Sequence, residues 1–218
     1  MKRFFITIIF IATSPYYTWA TGLKSLEEFV KMTNTGKADF TQVVTSPAKD
    51  GQALRVKTSS GTFEFARPNR FRFDYVKPFV QTIVADGQTL WLYDVDLNQV
   101  TARKQAALLG STPAALIASA ADVKALQADF VLADAPNKDG LEWVTATPKA
   151  KDGQLQAVRV GFKVSVGAES GVVLQVLEIL DSFGQRSVLS FDGFQTNPAL
   201  PASAFEFKAP AGVDVIQQ

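Results

Sequence analysis

The 218-residue sequence contains neither histidine nor cysteine. Without histidine, the chain cannot form a Ser-His-Asp triad, a Cys-His pair or a histidine-ligated metal site. Without cysteine, it must fold without disulfides. Carboxylates, lysines, hydroxyls and tyrosines remain as candidate catalytic groups, but no carboxylate pair stands out among the 21 acidic residues. The residues therefore predict neither an enzyme nor a bound cofactor or metal ion.

Long hydrophobic runs are also missing. Lys2 and Arg3 precede an apolar run of about nine residues, Phe4 to Ala12, whereas a membrane-spanning helix needs about 20. A polar stretch then ends in Thr18-Trp19-Ala20, with small residues at the two positions that signal peptidase reads. We therefore expect residues 1–20 to be a cleaved signal peptide, residues 21–218 to form the exported domain, and no stable membrane insertion. An uncleaved membrane anchor is the weaker alternative, because the run is short.

The charge is nearly balanced, with 22 basic and 21 acidic residues. Removing Lys2 and Arg3 with the signal would leave one more acidic than basic residue. Such a balance does not favour nucleic acid or an anionic membrane as the main partner. Because 47% of the residues are apolar, the chain can build a large core.

The exported part begins with a helical pattern. Ser25-Leu26-Glu27-Glu28 fits a capping box with Ser25 as the N-cap residue. Apolar residues at helical spacing then predict an amphipathic helix to about Thr33, ended by Gly36.

The rest of the chain mostly alternates with a period of two, as strands do. The clearest strand places Phe71, Phe73 and Tyr75 on one face, and Asp86-Gly87 marks a hairpin turn. The alanine- and leucine-rich segment Ala106 to Asp129 interrupts the strands and predicts one or two short helices. The predicted strands are Ala38 to Thr45, Ala53 to Thr58, Gly61 to Ala66, Arg70 to Tyr75, Thr82 to Ala85, Thr89 to Tyr93, Gln99 to Lys104, Phe130 to Ala133, Leu141 to Thr147, Leu155 to Phe162, Val172 to Leu180, Arg186 to Phe191 and Phe205 to Lys208.

This pattern predicts one domain, mainly β with short helices. Ten or more antiparallel strands that neighbour each other in sequence indicate an incomplete antiparallel β-barrel, a strongly curved sheet. An N-terminal helix and a mid-chain helical lid are available to fill its concave face. A cavity results if those helices can move.

Two features could carry function. The alternating aromatic residues suit either an ordinary sheet core or a cavity for acyl chains, because both need a continuous apolar face. Arg67 stands at a corner between strands, where it is either a surface residue in a turn or a donor to the backbone carbonyls of a mobile element. Asp94 and Asp96 fit a solvated turn better than a calcium loop, since that motif's glycine and distal glutamate are missing.

Several segments, in order and at similar spacing, resemble the outer-membrane lipoprotein carrier proteins of the LolA family. The resemblance covers nearly the whole exported chain. It rests on Arg67-Pro68-Asn69-Arg70-Phe71-Arg72-Phe73, Pro78, Ala85-Asp86-Gly87-Gln88-Thr89-Leu90-Trp91, Tyr93-Asp94, Gln99-Val100-Thr101, Ser111-Thr112-Pro113-Ala114-Ala115-Leu116-Ile117-Ala118 and Pro210-Ala211-Gly212-Val213-Asp214-Val215.

The resemblance implies an incomplete barrel under a lid of helices, and a monomeric periplasmic carrier whose cargo is acylated lipoproteins. Such a carrier takes its cargo from an inner-membrane ABC transporter and delivers it to an outer-membrane lipoprotein receptor. The arginine of the Arg-Pro-Asn segment, Arg67 here, would be the latch that bonds to the lid and keeps the empty cavity closed. Phe73 stands where many relatives have tryptophan. The expected lipid-binding cavity is lined by Val30, Phe63, Phe65, Phe71, Phe73, Ile83, Trp91, Leu116 and Ile117.

Three other functions compete with this one. The outer-membrane receptor of the same pathway is itself a lipoprotein and needs a cysteine, which this chain lacks. A periplasmic regulatory domain could use the same barrel to sense lipid or peptide. An acyl hydrolase is disfavoured by the absence of histidine.

Overall fold

The computed structural model describes residues 21–48, 53–105, 122–151, 153–165, 167 and 171–218. Within these residues, twelve strands form a single sheet, accompanied by helix α1 (Gly22–Met32), helix α2 (Val123–Asp129) and a 3-10 helix (Ala202–Phe205). The strands are β1 Thr35–Ser46, β2 Arg55–Ala66, β3 Arg70–Lys77, β4 Gln81–Asp86, β5 Thr89–Asp94, β6 Gln99–Lys104, β7 Phe130–Lys138, β8 Leu141–Pro148, β9 Leu155–Ser165, β10 Gly171–Asp181, β11 Arg186–Thr196 and β12 Asp214–Gln217.

The strand order is β12-β6-β5-β4-β3-β2-β1-β11-β10-β9-β8-β7. Consecutive strands pair as antiparallel hairpins within β1–β6 and within β7–β11, and the antiparallel pairing of β1 with β11 joins the two halves. β12, which the sequence did not reveal, pairs in parallel with β6. Among the described strands, β12 and β7 form the two edges and do not pair with each other, so the barrel is incomplete, as predicted.

Contacts of Phe29 on α1 show how strongly the sheet curves. Its ring centroid lies 6.3 Å from that of Phe65 on β2 and 5.4 Å from that of Phe162 on β9. Those strands are four steps apart in the sheet, which is roughly 19 Å in a flat sheet. The sheet must therefore wrap around α1 and enclose an apolar interior.

The convex face carries a second, smaller apolar layer. After β11 the chain crosses this face, where Phe207 packs 5.5 Å from Trp91 and 6.1 Å from Tyr93 between ring centroids. Phe205, in the 3-10 helix, is buried beneath the Arg70 guanidinium. The strand predicted at Phe205 to Lys208 is therefore wrong, because this segment is held by side-chain packing rather than by a strand ladder.

The start of α1 also differs from the prediction. Thr21, not Ser25, is the N-cap residue, and its hydroxyl accepts a hydrogen bond from the Lys24 amide at 3.3 Å. Ser25 lies inside the helix, is only 2% exposed, and donates to the Glu142 carboxylate on β8. The helix ends at Met32, and Gly36 belongs to β1.

β2 is one strand where the sequence indicated two. Ser59 and Ser60 remain extended because β1 pairs with β2 without a break through this stretch. The register with β3 shifts between Ser60 and Gly61. A Cβ atom at Gly61 would lie 1.9 Å from the Asp74 carbonyl oxygen, so only glycine allows this close approach.

Other expectations hold. Phe71, Phe73 and Tyr75 share one face of β3, as their pairing with β2 and β4 shows. The Asp86-Gly87 turn joins β4 to β5. Asp94 accepts a hydrogen bond from the Leu97 amide at 3.0 Å, which makes the predicted turn. Neither α-helix in the described ranges has the length and apolar character needed to cross a membrane.

Candidate lipid-binding site

The centre of the concave face is a continuous cluster of phenylalanines. Strand pairing places Phe63 opposite Phe73, with ring centroids 4.4 Å apart, and Phe65 opposite Phe71. Ile83 on β4 continues the same face because it pairs with Phe73. All four phenylalanines are at most 5% exposed, and Ile83 packs against them as a partly buried residue.

α1 covers the neighbouring part of this face. Leu26, Phe29 and Val30 form its buried side and are each at most 4% exposed. Val30 thus belongs to the same core cluster as the four phenylalanines. The structure brings together the predicted residues Val30, Phe63, Phe65, Phe71, Phe73 and Ile83.

Trp91 does not belong to this group. It pairs with Val84, and therefore points to the opposite face of the sheet from Ile83 and Leu92. Its indole nitrogen donates to Asp86 at 2.9 Å and its ring packs on Phe207. The prediction that Trp91 lines the cavity is wrong, because a strand turns alternate side chains to opposite faces. The predicted lid residues Leu116 and Ile117 lie outside the described residues.

Asp86 explains why Trp91 is fixed on the convex side. Burial by itself would raise the pKa of this carboxyl, but hydrogen bonds from the Thr89 amide, the Trp91 indole and the Gln88 amide outweigh it. The pKa of Asp86 is therefore lowered from its ordinary value. The charged carboxylate organises the turn and the tryptophan together.

A cavity lies between α1 and the part of the sheet beyond β11. Its volume is about 10 Å³, roughly the space needed by one water molecule. None of the residues around it was among the predicted cavity residues, although the alternation of Val158, Val160 and Phe162 in β9 was a usable signal. The cavity is bounded entirely by apolar side chains, those of Leu26, Phe29, Leu132, Val144, Ala146, Val160, Phe162 and Leu174.

Arg67 joins the corner between β2 and β3 to the end of α1. Its Nε donates to the Thr33 carbonyl at 2.8 Å, and its backbone amide donates to the Asn34 carbonyl at 2.8 Å. The guanidinium lies 5.5 Å from the Phe29 ring centroid and 5.2 Å from that of Phe65. Burial lowers the pKa of Arg67 to about 10, so the side chain remains a cation at neutral pH. Of the two readings of Arg67, the structure supports the donor to backbone carbonyls.

Asn197 holds the same end of α1 from the other half of the sheet. Its Nδ2 donates to the Met32 carbonyl at 2.8 Å, and its Oδ1 accepts from the Asn34 amide at 2.7 Å. Its φ of 54° lies in the left-handed region, which asparagine tolerates better than most residues. The Asn197-Pro198 dipeptide signals a turn but not this contact, which spans more than 160 residues of sequence.

The other end of α1 is anchored to β7 and β8. The Leu23 amide donates to Asp134 Oδ1 at 2.8 Å, and Ser25 donates to Glu142. An acidic side chain is favourable at a helix N-terminus, where backbone amides are unpaired. Polar contacts thus hold both ends of α1, while its middle rests on apolar side chains. None of these side-chain contacts is part of the hydrogen-bond ladder between strands.

Comparison with known proteins identifies the family. Residues 31–208 match the family model described as "Outer membrane lipoprotein carrier protein LolA". The chain belongs to the LolA family. An outer-membrane lipoprotein carrier protein of Albidiferax ferrireducens is 70% identical over 216 residues, covering 99% of this chain and 100% of the relative. A protein of the same description from Leptothrix cholodnii is 52% identical, covering 91% of this LolA-family chain and 87% of the relative.

Solved structures extend the likeness of this LolA-family chain at the level of the fold. A LolA superfamily protein from Nitrosomonas europaea aligns with a TM-score of 0.50 and 13% identity, covering 86% of this chain and 98% of the other. A DUF1329 family protein from Desulfovibrio piger aligns with a TM-score of 0.51 and 12% identity, covering 85% and 95%. The curved sheet is therefore shared by proteins whose sequences have diverged widely.

Proposed function

We propose that the protein is a soluble periplasmic carrier of lipoproteins to the outer membrane. The observation that carries the proposal is the apolar concave face, covered by a helix whose two ends are held by polar contacts. The names of the relatives agree with this role. The described residues offer no grouping of acidic side chains suited to a metal ion, and the carrier role needs none.

Acyl chains require such a cover because each methylene removed from water is worth ~0.8 kcal/mol. Three chains of ~15 methylenes would gain ~36 kcal/mol on complete burial. Observed affinities do not exceed about 18 to 21 kcal/mol. The carrier must therefore bury the chains in part, or lose much of the gain when its cover opens. Either cost helps the carrier to release its cargo.

The closed form has little room. The cavity under α1, at about 10 Å³, is far smaller than the ~300–1,000 Å³ of pockets that hold one small ligand. Several acyl chains can enter only if α1 and its neighbours move away from the sheet. The hydrogen bonds that Arg67, Asn197, Asp134 and Glu142 make to α1 would then break. The apolar face that α1 covers would instead contact the acyl chains.

The finer elements of the proposal follow the family. Residues 1–20 act as a cleaved signal peptide, and residues 21–218 form the carrier domain. The protein works as a monomer, receives cargo from the inner-membrane ABC transporter, and passes it to the outer-membrane receptor. It uses no cofactor and catalyses no reaction.

A release assay tests the proposal. Purified residues 21–218 are incubated with ATP and inner-membrane vesicles that contain the transporter and newly made lipoproteins. We expect lipoprotein to appear in the soluble fraction in complex with the carrier. Phe73→Asp, on the concave face, should abolish release, while Phe183→Asp, at a position 70% exposed in the β10–β11 turn, should not. Circular dichroism is used to check that both variants are folded. Lipoprotein that stays in the membrane with the wild-type protein contradicts the proposal.

A further inference from the structure

The concave face changes from apolar to polar at Tyr75. The aromatic stack runs from Phe63 through Phe73 to Tyr75, with the last two ring centroids 6.3 Å apart. The Tyr75 hydroxyl donates to Gln42 Oε1 at 3.0 Å, and Gln42 Nε2 donates to Ser187 Oγ at 2.7 Å. An uncharged, hydrogen-bonded row thus crosses the sheet from β3 through β1 to β11.

An open groove with a volume of about 420 Å³ lies on the far side of this row. Strand pairing places it on the same face as the phenylalanines, because Ser59 pairs with Gln42 and Gln81 pairs with Tyr75. The groove and the apolar interior are therefore parts of one concave surface, divided by the row at Tyr75. Besides Gln42 and Tyr75, the groove is lined by Val44, Lys57, Ser59, Phe79, Gln81 and Leu97.

The groove combines apolar walls with mostly uncharged donors. Within the described part of the chain, the side chains of Ser59 and Gln81 make no hydrogen bond to a neighbour. Lys57 places its ammonium 5.0 Å from the Phe79 ring centroid. Asp94 and Asp96 also line the groove, so its charge does not favour a compact anion. Hydroxyl, amide and ammonium donors beside apolar walls suit ester and amide carbonyls attached to hydrocarbon.

We propose that this groove binds the polar junction of an acylated lipoprotein, meaning the glyceryl esters and the first peptide amides. The inference rests on the proposed function and adds the position of the cargo. The acyl chains pass Tyr75 into the phenylalanine cluster, and the polypeptide leaves through the open side of the groove. Junction carbonyls buried among phenylalanines would lose their hydrogen bonds, whereas Ser59 and Gln81 can replace water here.

The test compares two ligands on one pair of variants. The double variant Ser59→Val/Gln81→Leu removes the donors while retaining similar bulk. The control Ser60→Val/Gln195→Leu makes the same changes on the convex face of β2 and β11. The ligands are a short, uncharged peptide with a triacylated N-terminal cysteine, and free palmitate. Affinities are measured by displacement of a fluorescent fatty acid.

We expect the double variant to bind the lipopeptide about tenfold more weakly, a few-fold for each neutral hydrogen bond lost. Palmitate, which has no such junction, should bind within twofold of wild type. The control variant should match wild type for both ligands. Single variants Ser59→Ala and Gln81→Met provide the same comparison if the double variant does not fold, each with a loss of a few-fold.

Unchanged lipopeptide affinity in folded variants overturns the inference, and so does an equal loss for both ligands. Normal lipopeptide binding with slow transfer to the receptor would assign the groove to a protein partner and also overturns it. A wild-type protein that binds neither ligand instead contradicts the proposed carrier function. The two failures are therefore distinguishable.

Discussion

Arg67 is a partly buried cation whose guanidinium lies near two aromatic rings. Its position is tolerable because the Thr33 carbonyl accepts from its Nε and the rings of Phe29 and Phe65 face its guanidinium. Burial nevertheless lowers the pKa of Arg67 to about 10. The proposed function requires α1 to move away from the sheet, which would break these contacts, so we expect them to favour the closed form.

We expect Arg67→Leu to bind lipoprotein at least as well as wild type but to deliver it about tenfold more slowly. A charge-assisted hydrogen bond contributes about 1.5–3 kcal/mol to stability. Part of this loss is offset in the variant, because leucine avoids the cost of removing a cation from water. Losing the hydrogen bond destabilises the empty closed form and hence disfavours release. Transfer from purified carrier to outer-membrane vesicles measures the rate. Wild-type delivery by folded Arg67→Leu would rule out the latch, and Arg67→Lys, which retains the charge without the planar fork, should fall between them.

We expect Tyr75 to make the stability of the folded protein sensitive to alkaline pH. Burial raises the pKa of Tyr75 to about 12, against about 10 in an unfolded chain. Between these values the unfolded chain loses the proton while the folded chain keeps it. The stability that comes from the neutral phenol is therefore complete below pH 10 and is lost as the pH rises to about 12.

Tyr75→Phe should consequently lose less stability than wild type between pH 10 and pH 11.5. Urea unfolding at several pH values measures the difference in stability. The other titratable groups are the same in both proteins, so their effects on stability cancel in the comparison. Tyrosinate absorbance should also show one group titrating near pH 12 in wild type that is missing from the variant. Parallel stability curves for the two proteins would contradict this expectation.

At the scale of secondary structure, α1 is fixed at its ends rather than along its length. Its C-terminal end is held by Arg67 from one half of the sheet and by Asn197 from the other. Its N-terminal end is held by Asp134 and Glu142. A short helix has little stability of its own, so these contacts and the apolar face below determine its position.

We expect Asn197→Asp to loosen the C-terminal end of α1. The carboxylate can still accept from the Asn34 amide but cannot donate to the Met32 carbonyl, and its charge is unfavourable beside a helix C-terminus. Stability should fall by about 1 kcal/mol. Hydrogen exchange in the last turn of α1 should become faster. Gln195→Glu, the same change of charge on an exposed neighbour in β11, should leave exchange in α1 unaltered; equal effects would mean that charge alone is responsible.

At the scale of the whole molecule, the sheet separates two apolar layers. The concave layer lies under α1, while the convex layer lies under the C-terminal segment around Phe205 and Phe207. Only the concave layer borders the groove and α1. Cargo is therefore expected on one side of the sheet.

Site-specific photo-crosslinking tests this division. A benzophenone side chain in place of Phe73, on the concave face, should capture bound lipoprotein. The same group in place of Trp91, on the convex face, should capture at least tenfold less. Both are large aromatic positions in neighbouring parts of the sheet, so each serves as the control for the other. Equal capture would mean that cargo does not distinguish the two faces.

Local patterns predicted much of the fold. Alternation in β3 defined its two faces, the Asp86-Gly87 signal located a hairpin, and apolar spacing located α1. The errors arose where contacts distant in sequence decide the outcome. Ser25 fits a capping box, yet the partner of its hydroxyl is Glu142 on β8. β2 continues through Ser59 and Ser60 because β1 pairs with it there.

The sequence by itself determined a mainly β domain without histidine or cysteine, an aromatic face on β3 and the position of Arg67 at the corner between β2 and β3. These follow from composition, a period of two and a resemblance carried by short motifs. Only the tertiary structure decided that Trp91 lies on the convex face, that Asn197 anchors α1 and that the groove beyond Tyr75 continues the concave surface. The physical reason is that strand register and sheet curvature bring together residues up to 165 positions apart, and no local pattern encodes those contacts.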